Sequence, residues 1–406
     1  MFLDLIKRRN HKLITASQKL HQKGLVPANS YIIDLDIVEQ NAKIFKNTAD
    51  KFGLKTFAMT KQVGRNSSFC KAIMRGGIDR SVSVDMACAL ANHDAGLRTG
   101  HLGHLVQVPK YEAIIAAKYL KPDYWTVFNL EKAKEAAEAA SLENIEQSLL
   151  IRIRSEGDVF YKGHEGGFLA SDVKKIADEI SHLSGAKFSG ITSFPALLFD
   201  NKTNKILSTP NLDTLSRAKE NLEASGLKSI EVNTPGTNSS IVLDVLANAG
   251  ATQCEPGNAL HGTTPLHAIE DLPELPAVIY LSEISHLVES KAYCFGGGLY
   301  IDPVFPKYDL KAIISNEEDV GSLDTSSVDI PPAEAIDYYG IVDNKTKKAK
   351  VGSTVIFGFR GQAFVTRANT VGVSGIQSDN PKVETIENIF GQKVNWSTSF
   401  SNQQNN

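Results

Sequence analysis

Cysteine is scarce in this sequence, and its spacing argues against two common kinds of stabilised scaffold. The chain contains 406 residues and four well-separated cysteines, Cys70, Cys88, Cys254 and Cys294. None belongs to a CxxC pair, so the pattern predicts neither a disulfide framework nor a structural zinc site. We therefore expect reduced thiols and a cytoplasmic location.

Long hydrophobic runs and an excess of positive charge are also missing. No stretch of about 18 apolar residues is present, which predicts no membrane span. The N-terminus has no hydrophobic segment after its charges, which predicts no signal peptide. The 43 Lys and Arg residues face 46 Asp and Glu residues, a formal charge of −3. Without a basic stripe, we expect no nucleic-acid partner.

What the sequence does contain is a repeated alternation of short apolar strands and helices. The predicted strands lie at 30–35, 57–59, 81–84, 104–108, 124–127, 149–154, 188–194, 230–233 and 251–255. Strands that alternate with helices at this spacing favour a parallel sheet. About eight such units over residues 30–265 match a (β/α)8 TIM-type barrel better than an open sheet. The predicted fold class is therefore α/β.

The pattern of predicted secondary structure changes after Pro265. Short strands separated by Gly, Pro and Asp are predicted at 278–281, 291–295, 311–314 and 354–357, and they indicate a mostly antiparallel β domain over 266–396. Residues 1–29 are predicted to form a leader that packs outside the barrel or on the second domain. The tail 397–406 is rich in Ser, Asn and Gln, which predicts disorder.

Lys61 follows an apolar, β-prone run that contains Phe57, Ala58 and Met59. A buried parallel strand there would place Lys61 at its C-terminal end, where barrels carry their chemistry. Burial disfavours the ammonium, and a neutral lysine amine is the nucleophile that a Schiff base needs. The alternative is a solvated lysine in a loop, and two later loops decide against it.

The first loop, residues 233–240, holds Thr234, Gly236 and Thr237 directly after a strand. Small hydroxyl residues around a glycine leave backbone N–H groups free to bind an anion, although an ordinary capped turn has the same pattern. The second loop, residues 255–262, begins with Glu255 and again follows a strand. A barrel commonly binds phosphate at its last loops. A lysine, a phosphate site and a carboxylate together suggest pyridoxal 5′-phosphate (PLP).

These segments carry a resemblance to a known family. The run Ala58-Met59-Thr60-Lys61 with Gly64 resembles the cofactor-lysine segment of the alanine-racemase-like, fold type III PLP enzymes. The run Ser81-Val82-Ser83-Val84-Asp85 resembles their third strand, and Glu255-Pro256-Gly257 resembles their last barrel loop. The similarity is greatest to the YhfX-like branch, and it is stronger in the barrel than in the C-terminal domain.

The resemblance implies roles for residues of this chain. Lys61 would carry PLP, and Gly236, Thr237, Gly257 and Asn258 would hold the phosphate. Glu255 would pair with the pyridine nitrogen, as the EPG motif does in decarboxylase members. Alanine racemases place an arginine at that position with a supporting histidine, which Phe194 replaces here. A carboxylate keeps the ring protonated, which argues against strict alanine racemase activity.

Three further expectations complete the hypothesis. His164 is a candidate substrate contact, with a solvated loop histidine as the alternative. Cys294, beside Tyr293 in the second domain, is the candidate acid opposite Lys61, with a buried structural cysteine as the alternative. His101 and His104 are closely spaced, but one pair makes a poor metal site, so we predict no metal.

The predicted function is an enzyme that acts at the α-carbon of an amino acid, most plausibly a racemase or epimerase. The alternatives are a decarboxylase, an aldolase or lyase of the same fold, a non-catalytic PLP-binding protein, and a sugar-phosphate barrel without PLP. We expect a homodimer whose second domain closes the partner's site, because PLP chemistry requires exclusion of competing reactions.

Overall fold

A computed structural model describes residues 1–302 and 309–396 of the chain. Contacts divide the chain into two units. The barrel unit consists of Ala42–Thr60 and Ile73–Ala259, and the β unit consists of Met1–Asn41, Lys61–Ala72 and the described residues from Leu260 onward. The predicted disordered tail, 397–406, lies outside the described residues.

Parallel pairing connects the strands of the barrel unit into a nearly closed ring. In spatial order they are Lys55–Thr56, Gln253–Cys254, Glu231–Asn233, Ala186–Thr192, Gln147–Arg154, Tyr124–Val127, Arg98–Leu102, Arg80–Ser83 and Ala58–Met59, with Phe168–Leu169 paired to Gln147–Arg154. The first and last strands of this path flank Phe57, so the two ends of the sheet are one chain segment. This is the predicted barrel.

Buried apolar runs explain why these segments form the inner layer. Leu149, Leu150 and Ile151 are all fully buried, as strands covered on both faces require. Helices cover the outside, and the small side chains of Leu130–Leu142, including Ala133, let that helix pack closely against the strands. The carboxyl ends of the strands are thereby collected at one edge, where a barrel carries its functional loops.

The β unit contains a nine-stranded, mostly antiparallel sheet. In spatial order its strands are Lys291–Phe295, Tyr339–Asp343, Thr325–Asp329, Lys311–Ser315, Thr354–Phe357, Val278–Val288, Ser30–Asp34, Asn369–Ser374 and Lys382–Asn388. A further antiparallel pairing joins Lys291–Phe295 to Val278–Val288. A separate hairpin, Leu197–Asp200 with Lys205–Ser208, lies in the barrel unit.

Helices occupy the connections in both units. The α-helices are Phe2–Arg9, His11–Gln22, Leu35–Lys51, Ser67–Arg75, Met86–Asp94, Ala113–Ile115, Leu130–Leu142, Val173–Ser181, Pro210–Ala224 and Leu243–Asn248. The short 3-10 helices are Lys61–Val63, Lys110–Glu112, Ala170–Asp172, Ser240–Val242, Asn258–His261, Pro265–Ala268 and Ala363–Val365, and Ala116–Leu120 is a π-helix. Among the described residues, no helix is long and apolar enough to cross a membrane.

The leader forms two helices that pack on the sheet of the β unit. Leu13 and Ile14 share a core cluster with Ile279 of the sheet. Asn10, between the two helices, donates from its amide to Asp34 Oδ2 at 2.9 Å and to the Pro276 carbonyl at 2.9 Å. These contacts belong to the β unit, as the grouping of residues 1–41 with that unit also shows.

Two sequence predictions about strands differ from the structure. The segment 104–108 is a loop, and the strand lies earlier, at Arg98–Leu102, because parallel pairing with Arg80–Ser83 selects that segment. The strand Ser30–Asp34 exists, but it pairs with Val278–Val288 and Asn369–Ser374 in the β unit. An isolated apolar run carries no information about which of two sheets it joins.

Candidate active site

Glu255 is the centre of a buried polar cluster in the barrel unit. Its residue surface is 6% exposed, and it directly follows the last barrel strand, Gln253–Cys254. Oε1 accepts from Nδ1 of His101 at 2.7 Å and from the side-chain amide of Asn233 at 2.8 Å. Nε2 of His104 lies 3.0 Å from Oε2. Residues from three different strand ends therefore meet on one carboxylate.

The contacts of His101 fix where its ring hydrogen lies. A carboxylate only accepts hydrogen bonds when ionised, so Nδ1 of His101 carries a hydrogen and donates to Glu255. The other ring nitrogen, Nε2, lies 2.6 Å from the hydroxyl of Thr126. Both nitrogens of this fully buried ring thus have partners, and the ring has one orientation.

His104 is buried beside the same carboxylate but is bonded differently. Its ring stacks on His101 at 5.1 Å between centroids and meets Phe194 edge-on at 6.1 Å. Neither ring nitrogen has an aligned hydrogen-bond partner among the described residues, so the 3.0 Å approach to Glu255 is an electrostatic contact with poor alignment. Burial lowers the pKa of His104, against the opposing effect of Glu255.

The charge of Glu255 follows from these neighbours. Burial alone raises the pKa of a carboxyl, but His104 and His101 outweigh it and hold the pKa of Glu255 well below its usual range. The ionised group offers about four acceptor positions. His101, Asn233 and His104 face three of them. One position on Oε2 is left, which fits a single external donor such as a pyridinium N–H.

Arg152 ties together three loops at the same edge of the barrel. Its guanidinium donates to the carbonyls of His104 at 3.1 Å, His164 at 2.6 Å and Phe194 at 3.2 Å. The side chain is fully buried between the rings of Phe128 and Phe160. Burial lowers the pKa of Arg152 to about 10, so the group stays charged at neutral pH.

The loop after Glu231–Asn233 contains Thr234, Gly236 and Thr237, whose predicted roles in cofactor binding stay predictions. The Thr234 hydroxyl donates to the Gln253 carbonyl at 3.0 Å, which makes it a structural contact. Gly236 packs so closely on the hairpin that a Cβ would lie 2.7 Å from the Leu197 carbonyl oxygen, and the N–H of Thr237 donates to that same oxygen at 3.1 Å. These three residues shape the loop.

A buried hydroxyl that suits an anion lies two residues further on, at Ser239. Asn238 Oδ1 and Ser239 Oγ are buried without a hydrogen-bond partner among the described residues. Buried polar atoms of this kind each require an explanation, and a bound phosphate supplies one for a hydroxyl donor. Together with the remaining acceptor position on Glu255, the Ser239 hydroxyl fits a group that has a phosphate and a protonated ring nitrogen.

Gly257 and Asn258 follow Glu255 on the last barrel loop. Asn258 is buried at the start of the 3-10 helix Asn258–His261. The loop contacts the strand Ala58–Met59 of the barrel unit, because the N–H of Met59 donates to the Pro256 carbonyl at 2.8 Å. The predicted roles of Gly257 and Asn258 in phosphate binding stay predictions.

Lys61 belongs to the β unit and follows the strand Ala58–Met59 by two residues in the chain. It is half-buried, and its Nζ lies over the ring of Phe364, 4.8 Å from the centroid. Gly64, three residues on, has a φ of +63°, and a Cβ there would lie 2.8 Å from Thr370 Cγ2. The spacing from Lys61 to Gly64 is therefore a packing requirement of this segment.

For Cys294 the role of second acid stays a prediction, and the structure favours the alternative that the sequence left open. Its thiol is fully buried in the sheet of the β unit, between Ile284 and Gly340 on the neighbouring strands. Burial raises the pKa of Cys294 to about 11. A group enclosed in this way has no surface to present to a substrate, so the alternative of a structural cysteine describes it better.

Tyrosines flank Cys294 in the same unit. Tyr293 stacks on His286 at 4.5 Å. Tyr300 is half-buried, and its pKa is raised by burial and by Asp302, against the opposing effect of Arg360. Its surroundings therefore favour the protonated phenol of Tyr300.

His164 lies on the long loop after Gln147–Arg154. Its ring packs 5.9 Å from Phe194 and 6.2 Å from Tyr161, and its carbonyl is one of the three that Arg152 binds. A substrate contact stays a prediction. In the parts of the chain that the structure describes, no three His, Cys, Asp or Glu side chains are grouped to hold a metal ion.

Sequence reasoning missed several residues of this cluster. His101 and His104 were weighed only as metal ligands, and Asn233, Arg152 and Ser239 were not singled out. The available signal was their position at the ends of successive strands, since such residues meet at one edge of a barrel. The misplaced strand at 104–108 hid that signal for both histidines.

Comparison with known proteins places this chain among relatives of similar length. The model described as "Alanine racemase, N-terminal domain" matches residues 33–265, and the model "YhfX-like, C-terminal domain" matches residues 279–383. The chain is 37% identical over 389 residues to the protein YhfX of Escherichia coli (strain K12), with 94% of this chain and 97% of that protein covered.

Solved structures show the same fold at low identity. D-threonine aldolase from Filomicrobium marinum has a TM-score of 0.66 at 14% identity, over 91% of this chain and 96% of that one. Alanine racemase of Clostridium difficile 630 in complex with cycloserine has a TM-score of 0.64 at 17% identity, over 90% and 99%. D-threo-3-hydroxyaspartate dehydratase from Delftia sp. HT23 has a TM-score of 0.62 at 14% identity, over 90% of this chain and 98% of that one. Identities this low show the fold, and they leave the reaction open.

Proposed function

The chain belongs to the alanine racemase-like family, in its YhfX-like branch, and from that premise we propose that it is a racemase or epimerase acting at the α-carbon of an amino acid. The cofactor of this family is PLP, which confirms the cofactor predicted from the sequence. When bound, PLP supplies an electron sink that stabilises negative charge at the α-carbon.

The observation that carries the proposal is the buried, ionised Glu255 with one acceptor position on Oε2. A carboxylate held in this state accepts a hydrogen bond from a pyridine nitrogen and keeps that nitrogen protonated. A protonated ring withdraws electrons more strongly, which suits proton removal from the α-carbon. The contacts to His101 and Asn233 orient the group for this task.

Lys61 is the residue proposed to bind the cofactor covalently and to exchange the substrate proton. A primary amine can accept a proton as a base and return it as an acid. The ring of Phe364 beneath Nζ excludes water from one side of the amine. The Ser239 hydroxyl and the loop residues Gly236 and Asn258 are proposed to hold the cofactor's phosphate.

Inversion requires a second proton carrier on the opposite face of the α-carbon. With Cys294 enclosed in the sheet, we assign this role to Tyr300. Its raised pKa keeps the phenol protonated at neutral pH, so that it can donate. We further propose that the enzyme is a homodimer, because an open barrel mouth would admit water to the reacting centre.

The test is incubation of the holoenzyme with L- and D-amino acids in deuterated water, followed by chiral chromatography and mass spectrometry. A racemase or epimerase incorporates deuterium at the α-carbon and forms the opposite configuration. Release of carbon dioxide, an aldehyde or a keto acid, without inversion, would identify a decarboxylase, an aldolase or a dehydratase instead and overturn the proposed reaction.

A second measurement checks the cofactor lysine. Borohydride should fix the chromophore to the peptide that contains Lys61, and Lys61→Ala should abolish the visible absorbance band. Lys71→Ala is the matched control, because Lys71 is exposed on the next helix, Ser67–Arg75. Label on a different lysine, or no binding of added PLP by the wild type, would contradict the assignment.

A further inference from the structure

Two histidines contact Glu255 through different ring nitrogens. His101 donates from Nδ1 to Oε1 at 2.7 Å, while His104 approaches Oε2 with Nε2 at 3.0 Å. The two rings are stacked on each other at 5.1 Å, so each limits the rotation of the other. The carboxylate is thus held from both oxygens by side chains that are themselves fully buried.

We propose that His101 and His104 are positioning residues that fix the orientation of Glu255 and so determine which oxygen meets the ring nitrogen of the cofactor. The inference rests on the proposed role of Glu255 in binding that nitrogen. It adds two residues from the strand Arg98–Leu102 and its following loop to the site. With Oε1 taken by His101 and Asn233, Oε2 is the oxygen that receives the cofactor.

The unsatisfied nitrogens of His104 support this reading. Both lack an aligned partner in the described residues although the ring is buried. A buried polar group without a hydrogen bond costs about 1–3 kcal/mol and needs a reason. A small shift of Glu255 upon accepting the ring nitrogen would align the contact with His104, so that the energetic cost is relieved when the cofactor binds.

Electrostatics explain why one histidine would not suffice. Burial favours the protonated form of Glu255, and the contacts to His104 and His101 are what favour the ionised form. Arg152 is a buried cation in the same unit, but its guanidinium donates to three backbone carbonyls. The two imidazoles are therefore the groups on which the charge of the carboxylate depends.

The different nitrogens allow a reciprocal test. An asparagine amide reaches about as far as Nδ1 of a histidine, and a glutamine amide reaches about as far as Nε2. At position 101 the contact is made by Nδ1, so His101→Asn should keep it and His101→Gln should lose it. At position 104 the contact is made by Nε2, so His104→Gln should keep it and His104→Asn should lose it.

The experiment uses PLP labelled with 15N in the pyridine ring. The dissociation constant is measured by fluorescence titration, and the protonation state of the bound ring by its 15N chemical shift at neutral pH. His101→Asn and His104→Gln should resemble the wild type. His101→Gln and His104→Asn should bind PLP about tenfold more weakly, as expected for loss of a hydrogen bond to a charged group, and shift the 15N signal toward the unprotonated ring.

Controls separate this pattern from general damage to the fold. Thermal unfolding checks that each variant is folded, and His267→Asn removes a buried histidine of the β unit whose Nδ1 contacts Thr264 at 2.6 Å. That control should leave both PLP readouts unchanged. Four variants that all resemble the wild type, or four that lose PLP equally, would overturn the positioning role.

Failure of the proposed function gives a different result. If the wild type does not bind PLP, or binds it with an unprotonated ring, then Glu255 does not have its assigned role and the positioning proposal is overturned with it. If the wild type binds PLP with a protonated ring and the reciprocal pattern appears, but no racemisation is found, the positioning role stands while the proposed reaction is wrong.

Discussion

Oε1 of Glu255 accepts a hydrogen bond from Nδ1 of His101 at 2.7 Å, and this contact joins the last barrel strand to the strand Arg98–Leu102 across the inside of the barrel. Neither residue is near the other in sequence. Their pairing places a negative charge in a buried position, where a carboxylate interacts more strongly with a donor than it does on the surface.

Replacement of Glu255 by glutamine tests the electrostatic role directly. The amide has the same shape, so Glu255→Gln should retain PLP through the phosphate loops. Without the negative charge the ring nitrogen loses its proton, and turnover should fall by roughly a hundredfold or more. Steady-state kinetics together with the visible spectrum of the bound cofactor would measure both effects.

The matched control for that variant is Glu156→Gln, because Glu156 is exposed on the loop that follows the strand Gln147–Arg154. It makes the same chemical change at the surface and should leave kcat and the spectrum unchanged. Wild-type turnover in Glu255→Gln would show that the carboxylate is not the partner of the ring nitrogen.

Local pattern was sufficient to predict much of the barrel. The predicted strand 124–127 coincides with Tyr124–Val127, and 149–154 lies within Gln147–Arg154. Both are apolar runs with clear boundaries. Arg98–Leu102 was missed because Arg, Thr, Gly and His give it no apolar pattern, and its pairing on both sides is what makes it a strand.

For the candidate site, short motifs led to some residues, whereas the orientation and burial of others depend on packing. Glu255 and Lys61 were identified through short motifs, which sequence retains. The orientation of Thr234 toward Gln253 and the burial of Cys294 depend on the packing of whole strands, which a motif does not encode. Cys294 was chosen because it lies beside Tyr293 and before three glycines. Its burial between two neighbouring strands depends on pairings that the local sequence does not reveal.

Arg152 should prove essential for the stability of the barrel loops. A lysine keeps the charge but has one ammonium, which cannot reach the carbonyls of His104, His164 and Phe194 together. Arg152→Lys should therefore lower the free energy of unfolding by about 3 kcal/mol, because buried groups are left without partners. Chemical denaturation measures this loss directly.

Arg154 supplies the comparison for that measurement. It lies two residues further along the same strand and is exposed, and among the described residues it donates only to the Gly167 carbonyl, at 3.3 Å. Arg154→Lys should change stability by less than about 0.5 kcal/mol. Equal effects of the two substitutions would show that the three carbonyl contacts of Arg152 contribute little.

The second proton carrier can be identified by comparing exchange with inversion. Tyr300→Phe should slow inversion while deuterium exchange from the Lys61 side continues. Cys294→Ala should leave both rates within about twofold of the wild type and cost only about 1–2 kcal/mol of stability, since it removes one buried atom. Chiral analysis in deuterated water separates the two rates.

Cys70→Ala is the control for the cysteine variant, because Cys70 is also fully buried in the β unit. The two alanine variants should behave alike in activity. Selective loss of inversion in Cys294→Ala would restore the thiol as the second acid, and unchanged inversion in Tyr300→Phe would remove the tyrosine.

Two buried histidines in the β unit should make the protein sensitive to acid. Burial lowers the pKa of His261 to about 3, with His267 and Arg360 as further causes. Burial likewise lowers the pKa of His267 to about 3, against the opposing effect of the Glu274 backbone carbonyl. Both rings are neutral in the folded chain, while the same side chains have a pKa of 6.5 when they are exposed.

The sign of the effect follows from where protons bind. Below pH 6.5 both histidines bind protons in the unfolded chain, whereas in the folded chain they stay neutral until about pH 3. The free energy of unfolding therefore decreases as the pH falls from 6.5 to about 3. Each histidine contributes a slope of about 1.4 kcal/mol per pH unit.

His267→Asn keeps an amide near Thr264 and removes one titrating ring, so the stability of this variant should fall less steeply with acid than that of the wild type. The measurement is chemical denaturation at several pH values, with His182→Asn at an exposed position as the control. Parallel curves for the wild type and His267→Asn would mean that the buried ring is protonated at no extra cost.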